Sequence, residues 1–141
     1  MEGRLPESIE LRVVTPVGEV IRETVDEVVA PGAEGYFGVR PGHTPLMATL
    51  GLGELSYRRG ERWQAITCFS GFCEVLPDRV TVLADVGERA EEIDVSAAEE
   101  ARQRALTRLK AISEEAQYDA VHDEYVRAVT RLAVARERRG P

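Results

Sequence analysis

The feature that most limits how this chain can fold is a change of hydrophobic period near residue 93. From Ser96 onward, Ala98, Ala101, Ala105, Leu109 and Ile112 recur at steps of three and four, the spacing of one face of a helix. Residues 113–117 interrupt the pattern, and Val121, Tyr125, Ala128, Leu132 and Ala135 then resume it. Two such stripes joined by a short connection predict an antiparallel helical hairpin. Ser96-Ala97-Ala98-Glu99 fits a capping box, and Asp94 just before it offers a second cap. No helical period occurs before residue 93. There, segments 9–14, 19–23, 24–30, 54–58, 62–69, 72–76 and 79–84 read as strands separated by turns such as Thr15-Pro16-Val17-Gly18 and Pro77-Asp78. Short strands at this spacing predict an antiparallel sandwich. The expected organisation is a β-domain over residues 1–93 and a helical hairpin over 94–141. The hairpin seam is rich in alanine, which buries little area, so the pair is marginal by itself. That suits a hairpin able to detach and re-dock, although static hairpins also carry alanine seams.

Residues 31–55 hold six of the twelve glycines and three of the seven prolines. Glycine reaches positive φ at little cost and proline fixes φ, so the mixture predicts tight, fixed turns between short apolar pieces. The turn-forming reading stands well ahead of a phosphate-binding loop. Gly38 is followed by Val39 and Arg40, Pro41 blocks a helix, and no lysine precedes Lys110. Gly32, Gly35 and Gly38 are spaced by threes with no helical pattern after them, so the dinucleotide fingerprint fails as well.

The composition, 43% hydrophobic and 30% charged, is that of a soluble globular chain. No apolar run approaches the ~20 residues of a membrane span. The N-terminal residues carry acids and lack a signal or transit pattern, which predicts a cytoplasmic protein used without cleavage. Residues 1–93 carry 16 acids against nine arginines and hold the whole net charge of −7, while residues 94–141 carry nine of each sign. Arg127, Arg131, Arg136, Arg138 and Arg139 crowd the last fifteen residues. An acidic body with a basic tip argues against nucleic acid as the main partner. The tip suits an acidic protein surface; a solvated helix end whose arginines complement the macrodipole explains it equally well.

Cys68 and Cys73 flank Phe69-Ser70-Gly71-Phe72. If Ser70-Gly71 is a two-residue hairpin turn, the cysteines face each other across strands and a disulfide is conceivable. The expected compartment is reducing, and buried small hydrophobes is the preferred reading. No catalytic or metal constellation emerges. His43 lies between Gly42 and Thr44-Pro45 and suits a structural or interface role, and His122 reads as a solvated helix residue. The adjacent carboxylates Glu91-Glu92, Glu99-Glu100 and Glu114-Glu115 do not share a helix face and read as caps and surface.

Three segments, in order, carry a family resemblance: Gly32-x-x-Gly35-x-x-Gly38-x-x-Pro41-Gly42-His43-x-Pro45-Leu46; Ser70-Gly71-Phe72-x-Glu74-Val75; and Val80-Thr81-Val82-Leu83-Ala84-Asp85. Followed by the helical hairpin, this order resembles the epsilon subunits of bacterial and chloroplast F-type ATP synthases (delta in mitochondria), from about Ile9 to Glu137. The resemblance implies a two-sheet β-sandwich of about ten strands with a C-terminal helix pair. It implies a non-catalytic subunit of the rotor's central stalk, peripheral on the cytoplasmic face of the bacterial plasma membrane and not inserted in it. The implied partners of the sandwich are the gamma subunit and the ring of c subunits, so that proton flow turns all three together. Glu34, Tyr36 and His43 match the region facing that ring. The second helix is expected to enter the hexamer of alpha and beta subunits and block ATP hydrolysis, with Arg127, Arg131, Arg136 and Arg138 meeting an acidic segment of the catalytic subunit. No cofactor is implied. Some members bind ATP as a regulatory ligand at Ile/Leu-Asp-x-x-Arg-Ala. Here Ile93, Asp94 and Ala98 match, but Ala97 replaces the arginine, and Asp94 is also explained as a plain N-cap.

Overall fold

A computed structural model describes residues 5–138, with side chains to residue 136. Seven strands precede two helices: β1 (Ile9–Thr15), β2 (Gly18–Val25), β3 (Glu27–Gly32), β4 (Gly35–Val39), β5 (Leu46–Arg59), β6 (Arg62–Leu76), β7 (Arg79–Val86), α1 (Val95–Ala111) and α2 (Glu115–Arg138). The strand order is β2-β1-β7-β6-β5-β3-β4. Neighbours are antiparallel except β1 and β7, which run parallel.

The count is seven rather than the about ten that the resemblance implies; β5 and β6 are long, of 14 and 15 residues, and β6 joins the segments 62–69 and 72–76 into one strand. Ser70-Gly71 is not a hairpin turn. Ser70 has φ 63° and Gly71 φ 121°, and the strand bends there while its pairing with β5 resumes on both sides. The bend changes which alternate residues face inward. Ile66 and Cys68 enter the core before it, and Cys73 and Val75 after it. In β5 the inward set likewise changes from Leu50 to Leu55 and Tyr57. Since side chains alternate strictly along a regular strand, such a change requires a bulge or bend. One sheet thus folds over itself as a sandwich, with a single core drawn from all seven strands.

The interior is Ile, Leu and Val with little polar content; Thr15 and Thr67 are the buried polar residues among those described. Burial of such side chains is the main stabilising term, about 1.5–3 kcal/mol for each large one. Cys68 and Cys73 lie in this core as free thiols, not as a cross-strand pair.

Asp94, not Ser96, caps α1: its Oδ1 accepts from the Ala97 amide at 3.0 Å. Ser96 lies inside the helix, and Glu99 pairs with Arg102 rather than reaching back to the cap. The helices pack through Ala98, Ala105, Val121, Ala128 and Ala135, all buried, with Ala101, Leu109, Tyr125 and Leu132 half-buried. The seam is the one that the period predicts. Val134 is buried too, outside that stripe and three residues beyond Arg131. Beyond the seam, α2 also covers β5, β6 and the turn at residues 90–92.

The cover is visible in β6 itself. Ile66, Thr67, Cys68 and Phe69 are buried in succession. A strand with one covered face shows alternation; four consecutive buried residues need both faces covered. Ile66 and Cys68 belong to the sandwich core, whereas Phe69 does not, and it lies under α2.

Candidate functional site

Three surfaces carry the residues singled out above. The first is the β3–β4 tip. Glu34 and Tyr36 are exposed there, yet the tip is tied to β5 by Ala33 N donating to Thr49 O at 2.8 Å. Tyr36 is 59% exposed, but its hydroxyl accepts from Glu54 N at 3.1 Å. Its ring end lies so close over Gly53 that a Cβ there would stand 2.3 Å from the hydroxyl and 2.8 Å from Pro31. The glycine at 53 therefore serves close approach rather than a turn.

His43 belongs to a different element, the β4–β5 loop. Its Nδ1 donates to Thr44 O at 2.6 Å, which fixes the tautomer, and Gly42 N donates to Pro77 O at 2.7 Å, tying this loop to the β6–β7 turn. Arg40 in the same loop reaches Glu27 at 3.5 Å, and Glu27 also takes Arg58 at 3.3 Å. Glu34 and Tyr36 thus share one hairpin, while His43 is held by separate partners. Both loops are fixed by backbone hydrogen bonds, as the glycine–proline texture predicts.

The second surface is the outer face of the sheet, which sequence reasoning missed. Phe72 and Leu83 are 57% and 53% exposed and pair directly across β6 and β7. The row continues through Val14 on β1 and Thr49 on β5, and Met47, 66% exposed, stands in the next row opposite Glu74. An apolar row across three strands, Val14, Leu83 and Phe72, on a largely polar face marks a contact surface. The signal was legible: Leu83 sits out of phase with inward Val80, Val82 and Ala84, and Phe72 out of phase with Cys73 and Val75.

The third surface is where the hairpin meets the sheet. Arg131 Nε donates to Glu88 Oε1 at 2.8 Å, and its guanidinium stands 5.2 Å over the Phe69 ring. Thr67 Oγ1 donates to the same Glu88 oxygen at 3.0 Å and accepts from Glu88 N at 2.8 Å. Arg131 is therefore engaged within the chain rather than presented on a free basic face. Arg127 is half-buried on the same side of α2, Arg136 is exposed, and the side chain of Arg138 lies outside the described residues.

The residues of the nucleotide motif form a helix start. Asp94 spends its carboxylate on the cap, Ala98 is buried in the seam and Ile93 is half-buried. Burial pushes the Cys68 and Cys73 thiols up to about 12 and about 11, which leaves both protonated and unreactive at neutral pH. Among the described residues no group of three or more metal-ligating side chains occurs. His122 is exposed and stacks on Tyr118 at 5.8 Å. No described helix is long and apolar enough to cross a membrane.

Comparison with known proteins agrees with this layout. Residues 8–90 match the family described as ATP synthase, Delta/Epsilon chain, beta-sandwich domain, and residues 91–136 match its long alpha-helix domain. The ATP synthase epsilon chain of Syntrophobacter fumaroxidans is 46% identical over 131 residues, covering 93% of this chain and 98% of that one. The epsilon chain of Solibacter usitatus is 52% identical over 101 residues, covering 72% and 75%. A chain in the Euglena gracilis mitochondrial ATP synthase structure (OSCP/F1/c-ring) has the same fold, with TM-score 0.79 and 21% identity over 94% of this chain and 84% of that one.

Proposed function

This chain belongs to the ATP synthase delta/epsilon family, and from that premise we propose that it is the epsilon subunit of a bacterial F-type synthase, a non-catalytic element of the rotor's central stalk. The sandwich, residues 1–93, anchors it to the gamma subunit and the c-ring, and the hairpin, 94–141, restrains ATP hydrolysis by the alpha–beta hexamer. The subunit works peripherally on the cytoplasmic face of the plasma membrane and transmits rotation driven by proton flow.

The observation that carries this reading is the apolar row of half-buried Val14 and exposed Leu83 and Phe72, with Met47 beside it, on a sheet whose loops are fixed by hydrogen bonds. A rotor contact must transmit torque without yielding. A flat, strand-based apolar patch supports that better than a flexible loop does, because its side chains are already ordered before binding. We assign this row to gamma. Glu34, Tyr36 and the His43 loop, pinned at their bases and exposed at their tips, are assigned to the polar loops of the c-ring.

Inhibition is assigned to α2 through Arg127, Arg131, Arg136 and Arg138. Charge complementarity with an acidic segment of the catalytic subunit sets register and docking rate more than bulk affinity. Nucleotide is not part of the proposal, since Asp94 is used as a cap and Ala97 supplies no guanidinium.

The test uses a catalytic hexamer with gamma but without this subunit, titrated with the full chain and with a version ending at Ile93. Both are expected to bind and only the full chain to slow hydrolysis. Leu83→Glu is expected to weaken binding by at least about tenfold, the order of magnitude for charging the centre of an apolar contact. Failure of both versions to bind would overturn the assignment. Binding of both with equal hydrolysis rates would leave the anchor and remove the brake.

A further inference from the structure

We propose that Arg131 is the latch that holds the hairpin on the sheet, gripped by Glu88 and by the face of Phe69, and that an acidic partner surface must compete with Glu88 to release it. The latch itself rests on geometry within this chain. Only the competition with a partner rests on the inhibitory reading above.

Three observations converge on Arg131. Its Nε reaches Glu88 Oε1 at 2.8 Å, with the two side chains 32% and 28% exposed, so the pair is better shielded than an ordinary surface pair. Its guanidinium stands over Phe69, which is 1% exposed although it lies outside the sandwich core. Phe69 owes that burial to α2, and losing the helix would expose an aromatic ring on an outer sheet face. Thirdly, Glu88 is aimed in advance. Thr67, itself buried, donates to the carboxylate and accepts from the Glu88 amide, while Thr67 N donates to Glu88 O at 3.0 Å. A carboxylate pre-set in this way loses little freedom when the arginine arrives.

The other contacts of the hairpin divide in two. Its buried seam joins α1 to α2 and moves with the hairpin. Against the sandwich, α2 packs on β5, β6 and the turn at residues 90–92, and Arg131 lies on that face. The arginine turned toward Glu88 is one of those assigned to the catalytic subunit, and while α2 lies on the sheet its Nε is spent on Glu88 and its planar face on Phe69. A carboxylate of the catalytic subunit therefore competes with Glu88 for the same guanidinium.

The experiment uses the isolated full chain with fluorophores on cysteines introduced at the exposed Arg62 and Gln117, the native thiols being buried. The fraction of molecules at the docked separation is read by energy transfer. Glu88→Gln and Arg131→Gln should each raise the undocked population about fivefold, the upper end for one shielded ion pair. The double variant should go little further than either alone. Arg131→Lys should lie between, because lysine keeps the charge but not the planar fork that stacks on a ring. Phe69→Leu keeps an apolar side chain at the site and leaves the Thr67–Glu88 bonds in place, and it should release the hairpin about twofold to threefold. Single variants that leave the docked fraction unchanged, or a double variant equal to the full product of the singles, would overturn the latch. In the hexamer assay Glu88→Gln should inhibit hydrolysis at lower concentration than the natural chain. Opened hairpins without that shift would sink the inhibitory reading and leave the latch standing.

Discussion

Replacing Gly71 with alanine should damage the sandwich more than any other single methyl addition in its strands. Gly71 sits at the bend of β6 with φ 121°, where an L side chain costs about 1–3 kcal/mol. A Cβ there would also stand 1.9 Å from the Leu83 carbonyl oxygen and 3.0 Å from the Ala84 Cα. Both atoms are backbone of β7, so no side-chain rotation relieves the clash. The strand itself must retreat by more than an ångström. Gly71 pairs with Ala84 on one side and Leu50 on the other, and withdrawal of β7 breaks one or two ladder hydrogen bonds at about 0.5–1.5 kcal/mol each. Together these give a loss of about 2–6 kcal/mol, a large part of the ~5–15 kcal/mol that holds a domain of this kind folded. Urea unfolding of the chain, followed by circular dichroism in the β region, measures it. Gly38→Ala is the control, because Gly38 has open space where the methyl would go and φ outside the left-handed region. It should stay within about 1 kcal/mol of the parent. A Gly71→Ala chain as stable as the Gly38→Ala chain would refute the account of the bend.

Stability should fall at alkaline pH for a stated reason. Burial raises Cys68 from 9.0 to about 12 and Tyr57 from 10.0 to about 12, so above pH 9 the unfolded chain releases protons that the folded chain retains. The folded state is then penalised, by at most ~1.4 kcal/mol per pH unit for each group, and Cys68→Ala should flatten the decline in urea midpoint between pH 9 and 10. At neutral pH neither thiol should react with an aromatic disulfide reagent until urea unfolds the sandwich. Asp94→Ala should cost about 1 kcal/mol of helix stability and Ser96→Ala less than about 0.5, by thermal unfolding, since Asp94 holds the cap. Equal losses would restore the capping box at Ser96. Tyr36→Phe removes the acceptor for Glu54 N and should cost about 1 kcal/mol while leaving the tip's shape intact; enhanced amide exchange at Glu54 would report it.

The sequence alone determined what depends on near neighbours. The change of period located the junction of sheet and helices, and steps of three and four named the buried residues Ala98, Ala105, Val121, Ala128 and Ala135, because a helix face is set within a few residues. Glycine and proline located the rigid loops for the same reason. Tertiary structure decided what depends on distant segments. Ser70-Gly71 reads locally as a reversal, yet it is a bend, because β5 and β7 pair with β6 on both sides of it and leave no room for the chain to turn back. Gly53 resembles a turn glycine, but the Tyr36 side chain placed over it by β4 makes it necessary. Arg131 counts as one of five arginines in a basic tip until Glu88 and Phe69, fixed on the far side of the junction, claim it. Period and turn chemistry are properties of a few adjacent residues. Which face becomes covered, and which charge finds a partner, are properties of elements brought together only when the sheet has folded and the helix has docked.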